Sequence, residues 1–300
     1  MAVSVGVLGV GRMGLPIVSR LVDHGFRVSA FDTRQDIAGA VREAGAGWPD
    51  SGKRLAGSVD VLVTVLPGRR ELEAALGGPH GLLRSMTAGS LWLDLTSGDP
   101  ALTRELAGEA AGLGIGAVAA PMGGGPAEAA HGRLTFFAAG PDRDVLRVLP
   151  LLGALARADG VERAGDRAED GQTVKLLANL LWFGQAVVVT EALLLGQSLG
   201  VTPATLRDIL PRTAGGSRFI TEHLDLLLSG DYAESFGLDR CVEELETVTG
   251  LAADAGTPFE ASELVTRLHR EALERFGPVP GELLVARLLE ERAGRELRAP

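Results

Sequence analysis

Residues 3–14 read VSVGVLGVGRMG, an aliphatic run that ends in the spacing G-x-G-x-x-G. The run predicts a buried strand over 3–8, and the residues after the turn predict a helix over 13–24. In such a turn the first glycine permits a sharp bend, the second lets a pyrophosphate approach, and the third permits close helix–strand packing. The stretch therefore predicts a dinucleotide-binding α/β domain. The predicted cradle for the pyrophosphate comprises Gly9, Val10, Gly11, Arg12, Met13 and Gly14.

Asp32 follows a second predicted strand over 27–31. An acidic residue at this point accepts hydrogen bonds from the adenosine ribose hydroxyls and repels a 2′-phosphate, which favours NAD over NADP. Arg34 is the type of residue that binds a 2′-phosphate, although a solvated loop charge or stacking near the adenine is the interpretation that we favour. The sequence predicts cofactor contacts from Asp32, Thr33 and Arg34, with NAD preferred.

The rest of the chain divides into two patterns. Up to about residue 165, further strand-like runs alternate with amphipathic stretches, which predicts parallel strands covered on both faces. After residue 171 the pattern is almost entirely helical. We therefore predict an α/β Rossmann-type domain over 1–165 and an all-α substrate and dimerisation domain over 166–300, with fraying final residues. The further predicted strands are 59–66, 91–95, 117–120 and 134–138, and the predicted helices of the second half are 172–199, 203–211, 217–229, 236–255, 258–276 and 280–296.

Composition excludes several kinds of partner. The 300-residue chain carries a formal net charge of −10, which argues against nucleic acid or an anionic membrane surface. Its single cysteine, Cys241, cannot form an internal disulfide, and its five histidines have no metal spacing. The apolar run 176–199 is interrupted by polar residues, which favours a buried helix over a membrane span, and the first residues lack the pattern of a signal peptide. We expect a cytoplasmic protein with a small-molecule substrate and no metal.

Several motifs in order resemble one family. They are the G-x-G-x-x-G turn, 66-LP-67, 94-DLTSGDP-100, 120-APMGGG-125 with 132-GRLT-135, and 171-GQTVKLLAN-179. This set is similar to the β-hydroxyacid dehydrogenases, the group of 3-hydroxyisobutyrate dehydrogenase, tartronate semialdehyde reductase and 6-phosphogluconate dehydrogenase. The resemblance implies an NAD(P)-dependent oxidoreductase that transfers a hydride between nicotinamide and a small β-hydroxy acid, oxo acid or semialdehyde. It also implies a homodimer, and a long apolar helix in so small a helical half points the same way.

Lys175 and Asn179 stand out because they interrupt an apolar helical pattern. Residues four apart lie on one helix face, so the two side chains project together. In the resembling family the matching positions carry proton transfer and substrate orientation, which makes Lys175 and Asn179 the candidate catalytic residues. A lysine that reaches solvent from the first turns, with the asparagine satisfied by backbone, is the alternative.

Two further stretches are candidates for ligand contacts at the carboxyl ends of the strands. Leu66, Pro67 and Thr96 border the cofactor by resemblance, and the hydroxyls of Thr96 and Ser97 are suited to a carboxamide or a substrate oxygen. A capped turn is an equally good interpretation of that segment. The glycines Gly123, Gly124 and Gly125 leave backbone N–H groups uncovered and suited to a substrate carboxylate, unless the loop is simply flexible.

The chain also departs from the family pattern. Gly123 stands where the family usually has serine, Ala178 where it commonly has asparagine, and Glu243–Glu244 where it typically has Lys-Asp. Arg240, one turn earlier, is a candidate substrate-binding cation, although a solvated acidic face is the alternative for this helix. These departures leave open an imine or enamine reductase on the same scaffold, or a catalytically silent cofactor-binding interaction module.

Overall fold

The computed structural model describes residues 3–233 and 236–299. The chain forms two compact units, Met1–Lys175 and Leu176–Pro300. The division falls inside one long helix, beyond the boundary that we predict between residues 165 and 166.

The first unit is built on a mixed sheet. Its strands are β1 (Ser4–Leu8), β2 (Arg27–Phe31), β3 (Val61–Thr64), β4 (Leu91–Asp94), β5 (Gly116–Ala119), β6 (Met122–Gly123), β7 (Leu134–Ala139) and β8 (Ala156–Gly165). The spatial order is β2-β1-β3-β4-β5-β7-β6, with β8 paired to β7. Strands β1 to β5 are parallel, and β1, β3 and β4 are buried along their whole length, as the aliphatic runs predict.

The expectation that all strands are parallel is wrong for residues 134–138. Strand β7 runs antiparallel to β5 and to β6, with Met122 opposite Phe136. The connection between β5 and β7 contains a six-residue helix, so the chain turns back without the long crossover that a parallel neighbour requires. Strand β8 was not predicted, because ARADGVERAG is a mostly exposed edge strand without apolar alternation.

Helices cover both faces of this sheet. They are α1 (Gly14–Asp23), α2 (Ala38–Glu43), α3 (Gly52–Ala56), α4 (Arg69–Leu76), α5 (Pro100–Gly112), α6 (Pro126–His131) and α7 (Asp142–Leu155). One apolar cluster includes Ile17 of α1 and Val148 of α7, and another includes Leu72 of α4 and Leu106 of α5. This double covering is the doubly wound arrangement, in which ligands bind beyond the carboxyl ends of the strands.

The second unit is helical. Its elements are α8 (Ala168–Ser198, which begins in the first unit), α9 (Pro203–Ile209), α10 (Arg218–Glu222), α11 (Leu224–Ser229), α12 (Leu238–Asp254), α13 (Glu260–Phe276) and α14 (Leu284–Ala293). The single helix predicted over 217–229 is two helices that meet at His223.

The prediction that the final residues fray is wrong as far as residue 299. Leu297 is fully buried, and its N–H donates to Oε1 of the buried Glu290 at 2.6 Å. Arg298 donates to the same oxygen, and Tyr232 Oη donates to the other at 2.5 Å. The carboxylate of Glu290 thus holds the terminal segment against α14.

Helix α8 is less buried than the sequence predicts. By length and composition it could cross a membrane, and 39% of its most apolar stretch is buried within the chain. Its exposed large apolar side chains are Leu177, Leu181, Val188 and Leu195. We call this set the apolar stripe of α8.

Candidate active site

The glycine turn has the geometry that a dinucleotide requires. Gly9 has a φ of +93°, and a Cβ there would lie 2.3 Å from Val65 O. A Cβ on Gly14 would lie 2.1 Å from Gly9 O, so this glycine permits the close packing of α1 on β1. At Gly11 a Cβ would meet nothing within 4 Å, which leaves the open space that a pyrophosphate needs beside the first N–H groups of α1. Gly9 and Gly14 are therefore required by the local packing, and Gly11 leaves open space at the turn.

Asp32 lies at the end of β2 beside this turn. Its Oδ2 accepts from the N–H of Val10 at 2.8 Å, and its Oδ1 accepts from the N–H of Arg34 at 2.9 Å. The Arg34 guanidinium also donates to Oδ1, at 3.2 Å, and Thr33 is exposed. Burial raises the pKa of Asp32, but the hydrogen bonds from Arg34 and Val10 outweigh it, and the net pKa lies below its usual value. Asp32 is thus an ionised acceptor whose charge Arg34 partly offsets.

A buried polar network connects the ends of β3 and β4. The N–H of Leu66 donates to Thr96 Oγ1 at 3.2 Å, while Thr64 Oγ1 donates to Asp94 Oδ1 at 2.7 Å. Asp94 is completely buried, and burial raises its pKa to about 6 in spite of these hydrogen bonds. Pro67 is exposed at the same edge, and Ser97 is half-buried. Thr96 therefore contributes to the architecture of this edge through its hydroxyl.

Gln172 extends the network to the start of α8, and sequence reasoning missed it. Its Nε2 donates to Thr96 O at 2.8 Å and to Asp94 Oδ2 at 3.2 Å, and its Oε1 accepts from the N–H of Gly98 at 2.9 Å. The only available signal was that Gln172 lies inside the motif of residues 171–179 that contains Lys175, and this does not identify partners more than 70 residues away.

Lys175 and Asn179 both lie on α8, one turn apart, and both are half-buried. Asn179 Nδ2 donates to Glu244 Oε2 at 2.5 Å. At least one hydrogen bond of this amide is therefore made to a side chain of α12.

The glycine loop at residues 123–125 is partly ordered by its own chain. Gly123 pairs with Thr135 in the sheet, and the Gly125 N–H donates to Glu128 Oε2 at 3.0 Å. A Cβ on Gly123 would lie 3.6 Å from that of Thr135, an ordinary contact, so a serine would fit there. The loop does bind a carboxylate, but the carboxylate is that of Glu128.

The charges on α12 are paired locally. Arg240 donates to Glu243 Oε2 at 2.7 Å, one turn along the same helix, and both side chains are substantially exposed. The guanidinium that we predicted as a substrate-binding cation is therefore partly neutralised by the acid that replaces the family's lysine. Among residues 3–233 and 236–299, no group of three or more potential metal ligands is found.

Comparison with known proteins gives consistent matches. Residues 4–165 match the family model described as the NAD-binding domain of 6-phosphogluconate dehydrogenase. Residues 170–289 match a second family model, described as NAD-binding of NADP-dependent 3-hydroxyisobutyrate dehydrogenase. A 2-(hydroxymethyl)glutarate dehydrogenase of Eubacterium barkeri is 31% identical over 85% of this chain and 83% of its own length.

Solved structures share the fold. A Mycobacterium tuberculosis 3-hydroxyisobutyrate dehydrogenase with L-serine superposes with a TM-score of 0.86 at 21% identity, over 96% of this chain and 99% of that one. An imine reductase from Myxococcus stipitatus in complex with NAD+ gives 0.66 at 18% identity, over 96% and 100%. At these identities the likeness establishes the fold alone.

Proposed function

Because the chain belongs to the β-hydroxyacid dehydrogenase family and is an NAD(P)-dependent hydroxyacid oxidoreductase, we propose that it interconverts a small β-hydroxy acid and its oxo acid or semialdehyde, with Lys175 as general acid and base. One continuous series of contacts supports this proposal. Gly9 packs against Val65, and the next residue, Leu66, forms a hydrogen bond with Thr96. Thr96 is in turn hydrogen-bonded to Gln172, which lies one helical turn before Lys175. The series runs from the cofactor turn to the helical turn that bears Lys175, which supports a shared site.

The chemistry asked of Lys175 is proton transfer. The nicotinamide, when bound, accepts or donates the hydride. In the direction of oxidation the amine of Lys175 removes the proton of the substrate hydroxyl, and in reduction the ammonium returns it. Asn179 orients the substrate. Lys175→Ala should lower kcat by several orders of magnitude while NAD(H) binding, followed by fluorescence, is retained. Turnover at the wild-type rate would rule out the role of Lys175.

We infer a preference for NAD from the position of Asp32. Its ionised carboxylate at the end of β2 is suited to ribose hydroxyls and opposes a 2′-phosphate, and the charge of Arg34 is already directed to it. The Kd for NADH should therefore be lower than that for NADPH. Asp32→Ala should reduce the difference by freeing Arg34, whereas Asp36→Ala in the same loop should not. Tighter binding of NADPH by the wild type would contradict the inference.

The substrate end differs from the family pattern in a way that an experiment can resolve. The Asn179 amide is held by Glu244, and Gly123 offers no hydroxyl, which favours a less acidic substrate and keeps imines as the second candidate. A screen should compare short β-hydroxy acids, semialdehydes and cyclic imines. Gly123→Ser should raise activity on conventional β-hydroxy acids if this position selects the head group. Imine reduction without hydroxy-acid oxidation would favour the second candidate.

The apolar stripe of α8 supports a homodimer. Leu181, Val188 and Leu195 follow one another at seven-residue spacing and are each more than 60% exposed, which is costly for a helix surrounded by water. A second copy with the same stripe is the self-complementary occupant. Light scattering should give twice the 31.2 kDa chain mass, and Leu181→Glu with Leu195→Glu should give the monomer. Exposed Leu146→Glu on α7 is the matched control.

A further inference from the structure

The amide of Gln172 is held rigidly. Its side chain has no exposed surface, its acceptor Oε1 takes the N–H of Gly98, and its donor Nε2 is shared by Thr96 O and Asp94 Oδ2. An N–H group on one side and two oxygens on the other fix the orientation of the amide, because a flip would leave all three contacts mismatched. The bond pattern is specific to an amide at this position.

Asp94 is in turn fixed from its other side. Its Oδ1 accepts from Thr64 Oγ1 at 2.7 Å and from the N–H of Thr96 at 3.1 Å. The donors around its carboxyl group are neutral hydroxyl, amide and backbone groups. The Asp94–Gln172 contact therefore joins the end of β4, a rigid element at the sheet centre, to the first turns of α8.

The same end of α8 has a second attachment, which does not involve the loop of residues 94–98. Arg104 of α5 donates to Glu169 Oε1 at 3.0 Å, and its side chain is largely exposed. Arg104 and Gln172 thus hold neighbouring turns of one helix end. Of these two side chains, only Gln172 forms hydrogen bonds with residues 94–98.

We propose that Gln172 is a positioning residue that holds the turn bearing Lys175 in register with the loop after β4. The inference rests on the proposed role of Lys175 in proton transfer. Gln172 and Lys175 are three residues apart, so a shift of one is carried to the other through the helical backbone. A displacement near 1 Å of a proton-transfer group lowers turnover by about a hundredfold.

Gln172→Glu tests the proposal with little change in shape. The new carboxylate retains an acceptor for the Gly98 N–H, but it sets oxygen against oxygen at Asp94 and at Thr96 O. Turnover at pH 8 should fall about 10- to 100-fold, with the Kd for NADH within a few-fold of wild type. As the pH falls, one proton shared by the two carboxyl groups restores the contact, so the ratio of variant to wild-type kcat should rise. Arg104→Gln should leave both kcat and its pH profile unchanged.

A second readout is independent of activity. The sequence contains two lysines, Lys53 and Lys175, so a ¹³C-lysine-labelled protein gives two side-chain signals, which Lys53→Arg assigns. In Gln172→Glu the Lys175 signal should change its shift or titration, while that of Lys53, which is exposed on α3, should not. An unmoved Lys175 signal would overturn the proposal, as would a turnover loss that is constant with pH and equal to the loss of folded protein.

The two readouts separate this inference from the proposed function. If Lys175→Ala retains turnover, the role of Lys175 fails, whereas the lysine spectrum still shows whether Gln172 positions that side chain. If the Lys175 signal moves in Gln172→Glu but kcat does not, the displacement of Lys175 has no effect on turnover, and a positioning role of Gln172 in catalysis is refuted.

Discussion

Acidification should destabilise the helical unit through His269. This side chain of α13 is completely buried against the ring of Phe183, with 5.3 Å between ring centroids. Its Nδ1 hydrogen-bonds Val265 O at 2.9 Å, and its Nε2 has no hydrogen-bond partner in the described part of the chain. Burial lowers the pKa of His269 from 6.5 to about 4, so a folded chain resists a proton that an unfolded chain accepts.

The magnitude follows from the difference between the two pKa values. A shift from 6.5 to about 4 corresponds to about 3 kcal/mol in the free energy of unfolding. Because the folded pKa is the lower one, this contribution is complete above pH 6.5 and is lost as the pH falls towards 4. By pH 5 about 2 kcal/mol of it is gone.

Urea unfolding followed by tryptophan fluorescence, at fixed protein concentration, measures this loss. His269→Leu removes the titrating group at similar volume. The free energy of unfolding of the wild type, minus that of the variant, should therefore decrease by about 2 kcal/mol between pH 8 and pH 5. His24→Leu, at an exposed histidine, should show no such change. A pH-independent difference between wild type and His269→Leu would refute the reasoning.

Three further predictions concern the two units. Gly11→Val should weaken NADH binding at least tenfold in fluorescence titration with little change in Tm, because its side chain enters the open cradle. Gly14→Ala should instead lower the urea midpoint, because its Cβ would clash with Gly9 O. In urea titrations the free energy of unfolding of the wild type, minus that of Asp94→Asn, should decrease by about 2 kcal/mol between pH 4 and pH 7, because burial raises the folded pKa of Asp94 to about 6. Glu290→Gln should lower the free energy of unfolding by about 1–3 kcal/mol and speed carboxypeptidase digestion, because its carboxylate holds the terminal segment.

The local patterns predicted the elements that position the cofactor. The spacing of Gly9, Gly11 and Gly14 depends on contacts within one strand–turn–helix unit, so its sequence carries nearly all the information. The parallel strands β1 to β5 are likewise apolar enough to be recognised one at a time. Strand direction beyond β5 depends on the path of a connection, which periodicity does not encode, and β7 was therefore assigned wrongly.

The contacts that organise the site are long-range and could not be read from the sequence. Gln172 meets Gly98 across 74 residues, and Asn179 meets Glu244 across 65. Motif spacing gives the residue type and the helix face but not the partner on another element. The same limit applies to Leu297, whose burial depends on Glu290 and on the packing of the helical unit.

The pKa shifts of Asp94 and His269 affect stability in opposite directions. The stability associated with Asp94 is present at low pH and lost as the pH rises through 6, whereas that associated with His269 is present at high pH and lost as the pH falls through 6.5. The two changes are of similar size and largely offset each other between pH 4 and 6.5. Taken by themselves, these two contributions therefore produce little net change in the free energy of unfolding over this range. The single variants distinguish the contribution of Asp94, in the α/β unit, from that of His269, in the helical unit. Between pH 4 and 6.5 this part of the free energy of unfolding should increase with pH in Asp94→Asn and decrease with pH in His269→Leu.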